Sequence, residues 1–127
     1  MAVGQSAAHA AGILNLMRGV SYPAYTPWFQ LHIGEPGANG TANQSSVTTR
    51  KSPVFAAPNS GVMAAPAISW SDWAGANEVI THVSVWDAET GGNFKQSAAL
   101  DPQKTVESSD QLNITPSMTP GPIATSS

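Results

Sequence analysis

The stretch VITHVSVW at residues 79–86 decides the fold class of this chain. β-branched residues dominate it, and such side chains fit a pleated strand. In a strand, Val83 and Val85 would lie on one side, while Ile80 and Trp86 would lie on the other. Because both faces then carry apolar groups, the stretch predicts a central strand of a sheet.

Shorter patterns on either side supply partner strands. Phe29, Leu31 and Ile33 alternate with Trp28, Gln30 and His32, which is the period of a half-buried strand. About six short strands separated by turns predict a mainly β fold, an antiparallel β-sandwich or small barrel. The other predicted strand segments are residues 45–57, 62–70, 93–100, 105–106 and 111–115, and Asp101-Pro102 is expected to end the strand at residues 93–100.

The two ends of the chain have patterns of their own. Alanines at the start predict one N-terminal helix over about residues 3–19, with Gly19 as its stop. Prolines from Pro116 onward block regular structure. We therefore predict a single β-rich domain over residues 1–115 and an extended Pro-rich C-terminal arm over residues 116–127.

The composition favours a protein that works inside an assembly. Only 10% of the 127 residues are charged, against about 25% in typical domains. Small residues take their place, which suits surfaces covered by neighbours, whereas a free monomer keeps more charge for solubility. A neutral secreted or low-complexity domain is the alternative.

The charge balance also bears on partners. The net charge is −3, so the basic footprint needed for nucleic acid or an anionic membrane is missing. The absence of cysteine excludes disulfides and thiolate chemistry. We expect neither a nucleic-acid nor a membrane partner.

Residue types that carry chemistry are present, but no motif connects them. His9, His32 and His82 lack the spacing of zinc ligands. Asp87 and Glu89 fall at a predicted hairpin turn, where Asp commonly caps the backbone. No nucleophile elbow accompanies the serines. The sequence therefore predicts no catalytic residue, no cofactor and no metal site, with a small hydrolase that uses His82 as the remote alternative.

The tryptophans leave one binding hypothesis open. Trp70 and Trp73 flank Asp72 in a Ser-containing segment, and exposed aromatic rings on a β module can contact a ligand. Both are candidate contacts for a host receptor or glycan. The alternative is that the rings anchor the core or a subunit contact, which is a common use of Trp.

Several motifs occur in collinear order between roughly residues 8 and 115. They are LHIGEPG (31–37), ISW (68–70), VITHVSVWDA (79–88), TGGN (90–93), AAL (98–100) and PQKTV (102–106). In these motifs the sequence resembles a family of small virion proteins from phages of actinobacteria, usually labelled tail-fibre or minor-tail proteins. The resemblance implies a β-rich virion component, made in the cytoplasm of the bacterial host, with no catalytic residues. The Pro-rich end departs from the family pattern and would suit capsid decoration.

The leading hypothesis is a non-enzymatic structural protein of a tailed-phage virion. It is expected to bind other copies of itself, as a trimer or larger ring, and to dock on capsid or tail proteins. Capsid decoration and receptor binding are the alternatives. The expected assembly contacts are apolar or proline residues near the two ends, namely Ile13, Leu14, Leu16, Met17, Pro116, Met118, Pro120, Pro122 and Ile123.

Overall fold

A computed structural model describes residues 4–60, 62–118 and 123–126. For residues 117, 118 and 123–126 it describes the backbone alone. Within these ranges the chain forms one helix and eight strands. In chain order they are β1 (Gly4–Gln5), α1 (Ala7–Met17), β2 (Trp28–His32), β3 (Met63–Ala64), β4 (Ile68–Trp70), β5 (Glu78–Trp86), β6 (Phe94–Val106), β7 (Leu112–Met118) and β8 (Ile123–Ser126).

The first sheet is antiparallel and has the strand order β1-β6-β5-β2. β5 lies between β6 and β2, so the predicted central strand is confirmed. β2 pairs with it over its whole length, from Trp28 opposite Trp86 to His32 opposite His82. Ile33, which was predicted to be the last residue of this strand at residues 28–33, lies beyond β2 and is 46% exposed.

A β-bulge interrupts the pairing of β5 with β6. Ile80 lies opposite Lys104, whereas His82 lies opposite Ala99, so β6 carries extra residues at this point. Such a bulge re-aims the side chains on either side of it. Ile80 and Val83, which an uninterrupted period of two places on opposite sides, are both fully buried and belong to one apolar cluster.

The second sheet contains β3, β7 and β4 in that order, and β8 also pairs with β7. One apolar cluster joins the two sheets: Phe29 and Leu31 of β2 share it with Ile68, Leu112 and Ile114 of the second sheet. The predicted fold class is therefore confirmed as mainly β, with antiparallel sheets and one short N-terminal helix.

The helix is shorter than predicted because its caps are specific. Ser6 has an extended backbone, and its side chain accepts a hydrogen bond from the backbone N–H of His9, which is N-capping geometry. At the other end Gly19 has a φ of +84°, which suits glycine and ends the helix as expected. The helix thus spans Ala7–Met17, and residue 3 of the predicted helix lies outside the described residues.

Three strand predictions differ from the structure. The predicted strand at residues 62–70 is divided into β3 and β4. Residues 45–57 form no strand: Lys51 makes a single β-bridge to Phe29. Gln44, just before this range, makes another to His32. β6 continues through Asp101-Pro102, where a strand end was predicted, because the bulge accommodates these residues.

The C-terminal segment continues the second sheet. β7 extends to Met118, so the predicted boundary after residue 115 falls inside a strand. Pro116 is fully buried, and its carbonyl accepts a hydrogen bond from the N–H of Ala65. In β8, Thr125 lies opposite Pro116. Residues 119–122 and 127, the rest of the predicted arm, lie outside the described residues.

No helix among the described residues is long and apolar enough to cross a membrane.

Candidate assembly surface

The C-terminal half of α1 presents a patch of exposed apolar side chains, here called the helix patch. It consists of Leu14, Leu16 and Met17, which are 63%, 53% and 82% exposed, with Val20 just beyond the helix at 39%. Ile13, which was predicted with them, is half-buried. Single exposed apolar residues are common, but several on one short stretch of chain make it a candidate interaction surface.

The other half of the helix is anchored to the domain. His9 and Gly12 are its buried residues. A Cβ atom on Gly12 would lie 2.6 Å from Cε1 of Tyr22, so only glycine lets the ring approach so closely. The Tyr22 hydroxyl also lies 2.8 Å from Nδ1 of His9. These contacts fix the helix so that the helix patch faces away from the domain.

Lys95 of β6 completes this anchor. Its ammonium donates a hydrogen bond of 3.0 Å to the Tyr22 hydroxyl and lies 4.9 and 4.7 Å from the ring centres of Tyr22 and Tyr25. Burial raises the pKa of Tyr25 to about 12, so its ring stays neutral. Asp87 lies 3.8 Å from the same ammonium. One cation thus connects the helix, the residues that follow it and the sheet.

Asp87 is held in its charged form by the turn that it begins. Its carboxylate accepts hydrogen bonds from the backbone N–H and the side-chain amide of Asn93. The backbone hydrogen bond from Asn93 is the main reason that the pKa of Asp87 is lowered. The capping role expected for Asp87 is therefore the one that it plays here.

A histidine–serine pair lies inside the domain. Nε2 of His32 is 2.7 Å from Oγ of Ser84, and Nδ1 of His32 is 2.8 Å from the carbonyl oxygen of Ala42. The same Oγ accepts a hydrogen bond from the indole N–H of Trp86. Both His32 and Ser84 are fully buried, so a substrate does not reach this pair. Its role is to satisfy buried polar atoms.

The three histidines lie in different environments. His9 packs in the helix anchor, His32 lies inside the domain, and His82 contacts the Thr81 hydroxyl. Burial lowers the pKa of each. Within the described residues, no group of three or more His, Asp or Glu side chains is placed to hold a metal ion.

The structure places Trp70 and Trp73 in the core. Each is only 3% exposed. The indole N–H of Trp70 donates to the carbonyl of Thr49, and that of Trp73 donates to the carbonyl of Ala76. Both residues border a pocket at the surface, but so small an exposed fraction offers a ligand little ring surface, so their burial favours the core alternative that the sequence left open.

Of the predicted contacts near the C-terminus, the structure describes the side chain of Pro116 alone. Pro116 is buried within the domain. Met118 lies in β7 and Ile123 in β8, and their side chains are not described. Pro120 and Pro122 lie outside the described residues. Among the predicted contacts, the helix residues alone are described as exposed.

Sequence reasoning missed the anchor that orients the helix patch. Its members Tyr22 and Lys95 are far apart in the sequence, so no local pattern connects them. One signal was available in Gly12. Glycine inside a helix costs about 1 kcal/mol relative to alanine, and such a residue often marks a close packing contact.

The fold is that of a small β-rich module with exposed apolar side chains at the end of its helix. Residues 4–119 match the model of the family described as Podophage GP4 fiber I protein gp80. The chain belongs to this family of phage fibre proteins and is a structural, tail-fibre-like component of the virion. The phage-fibre part of the resemblance is thereby confirmed, while the actinobacterial source and the minor-tail label stay predictions. No curated protein matches the chain.

Proposed function

We propose that this fibre protein acts without catalysis, by binding other copies of itself and docking on neighbouring phage proteins. The helix patch is the proposed contact. The observation that carries the proposal is the exposure of Leu14, Leu16 and Met17 on a helix whose other half is anchored. The low content of charged residues supports this proposal, since a surface covered by neighbouring copies needs few charges for solubility.

The helix patch can supply the free energy of association. Complete burial of one Leu or Met side chain contributes about 1.5–3 kcal/mol. Association costs at least about 4 kcal/mol in lost translational and rotational freedom. The three side chains are already partly covered, but every copy in an interface buries its own set, so the sum can exceed that cost. We propose a trimer or larger ring as the assembled form.

A charge placed in the helix patch is expected to weaken self-association. We predict that Leu16→Glu raises the dissociation constant of the assembly at least about tenfold, because an unpaired carboxylate resists burial. Sedimentation velocity over a concentration series measures this constant. Leu16 is exposed in the single chain, so the fold should be retained.

Val54 offers a matched control for that experiment. It is 83% exposed and lies outside α1, so Val54→Glu adds the same charge elsewhere. We expect its dissociation constant to equal that of the unchanged protein. Equal weakening by both variants would mean that added charge, and not the helix patch, sets the association.

Docking on the particle is testable by location. The protein is expected to be made in the host cytoplasm and then incorporated into the fibres, so immunogold labels on intact particles should lie on the fibres. The fibre family supports this position. Labels distributed over the head would instead support the capsid-decoration alternative, and particles without label would contradict docking altogether.

A further inference from the structure

One phenol oxygen lies between two basic groups. The ammonium of Lys95 can only donate, so the oxygen of Tyr22 accepts from it at 3.0 Å. The hydroxyl hydrogen of Tyr22 is then available for Nδ1 of His9, 2.8 Å away. A neutral imidazole with its proton on Nε2 accepts that hydrogen. A protonated imidazole can only donate, so the Tyr22 oxygen would then have to accept from two cations at once.

A protonated His9 would be a second buried cation near Lys95. The rings of Tyr22 and Tyr25, which follow the helix, lie 5.7 and 6.0 Å from the imidazole ring. Lys95 approaches from β6 and lies near both tyrosines. Asp87, the acidic group of this cluster, is already bonded to Asn93 and lies beside Lys95. Burial first, and then the charge of Lys95, lower the pKa of His9.

Attachment of helix α1 to the domain depends heavily on the side chain of Tyr22. Tyr22 bonds to His9 and also fills the space beside Gly12. The residues before the helix are held separately, because β1 pairs with β6 and the N–H of Ser6 donates to the carbonyl of Lys95. Loss of the bond between Tyr22 and His9 would thus loosen Ala7–Met17 while its start stays attached.

We propose that His9 and Tyr22 form a pH-operated latch: protonation of His9 places a second cation at the Tyr22 oxygen, beside Lys95, and so releases helix α1 from the domain. A doubly protonated imidazole cannot accept from the hydroxyl, and donating to its oxygen would bring two like charges together. The effect on assembly rests on the function proposed above, because the released helix carries the helix patch. The latch itself is a property of the single chain.

Amide hydrogen exchange on the dilute monomer tests the latch. We expect the protection factors of the α1 amides to fall as the pH is lowered from 7.5 to 5.0. The fall is at most about 30-fold, because His9 in the released helix has the ordinary histidine pKa of about 6.5. The amides of β5 should lose less protection. His9→Gln should keep a constant protection factor over this range, because a glutamine oxygen accepts a hydrogen bond without titrating.

His82→Gln is the matched control, since His82 lies on β5, away from the anchor. It should retain the pH-dependent exchange of the helix. Helix protection that falls equally in the unchanged protein and in His9→Gln would overturn the latch. Should His9→Gln not fold, an NMR titration decides the matter: the imidazole of His9 must titrate together with the loss of helix protection. The experiment uses monomers, so its outcome is independent of whether Leu16→Glu weakens assembly.

Discussion

Replacing Trp70 with Ala is expected to lower the free energy of unfolding by about 3–5 kcal/mol, the usual cost of removing a buried tryptophan. The ring is 3% exposed, and its indole N–H satisfies the carbonyl of Thr49. The substitution therefore opens a cavity and leaves a backbone oxygen without its partner. Equilibrium unfolding in urea, followed by circular dichroism, measures the change.

Trp70→Phe separates packing from ligand contact. It keeps most of the apolar volume but loses the N–H donor, so we expect a smaller loss of stability, about 1–3 kcal/mol. If Trp70 were instead a receptor contact, Trp70→Ala would leave the free energy of unfolding unchanged and reduce adsorption to host cells. A stable, folded Trp70→Ala variant would thus contradict the placement of this ring in the core.

Mild acid is expected to destabilise the domain through its buried histidines. Burial lowers the pKa of fully buried His32 in the folded chain. The unfolded chain, with a histidine pKa of about 6.5, then binds more protons than the folded one. The stabilisation is fully present above pH 6.5 and is lost as the pH falls. By pH 4.5 the loss from His32 reaches at most about 2.7 kcal/mol.

Urea unfolding at pH 7.5, 6.0 and 4.5 measures this loss, in a range above the usual titration of aspartate. His32→Gln supplies the comparison, because its amide can donate to Ala42 and accept from Ser84 without titrating. We expect the variant to depend less steeply on pH than the unchanged protein. Identical slopes would show that His32 does not carry the effect.

The sequence predicted elements whose signal is local. The β-branched stretch at residues 79–86 is the central strand, and the alternation at residues 28–33 marks β2. The bulge opposite Ile80 was not predictable in the same way, because the extra residues that cause it lie in the partner strand. A period of two assumes an uninterrupted ladder, and only the pairing reveals where the ladder shifts.

The candidate site shows the same limit. An apolar end of the helix was visible from Leu14, Leu16 and Met17. Whether that end faces solvent depends on the anchor at Tyr22, which a one-dimensional pattern does not contain. The tryptophans near Asp72 lie in a segment without clear periodicity, so their burial followed only from the assembled core.

The position of the terminal strands has a mechanical consequence for a fibre component. β1 belongs to the first sheet, whereas β8 belongs to the second. Tension applied between residues 4 and 126 would therefore pull one layer against the other. β1 is attached to β6 by only two residue pairs, and β8 to β7 by four. The first rupture should detach β1 and leave the apolar interior intact, so the domain could lengthen under load before it unfolds.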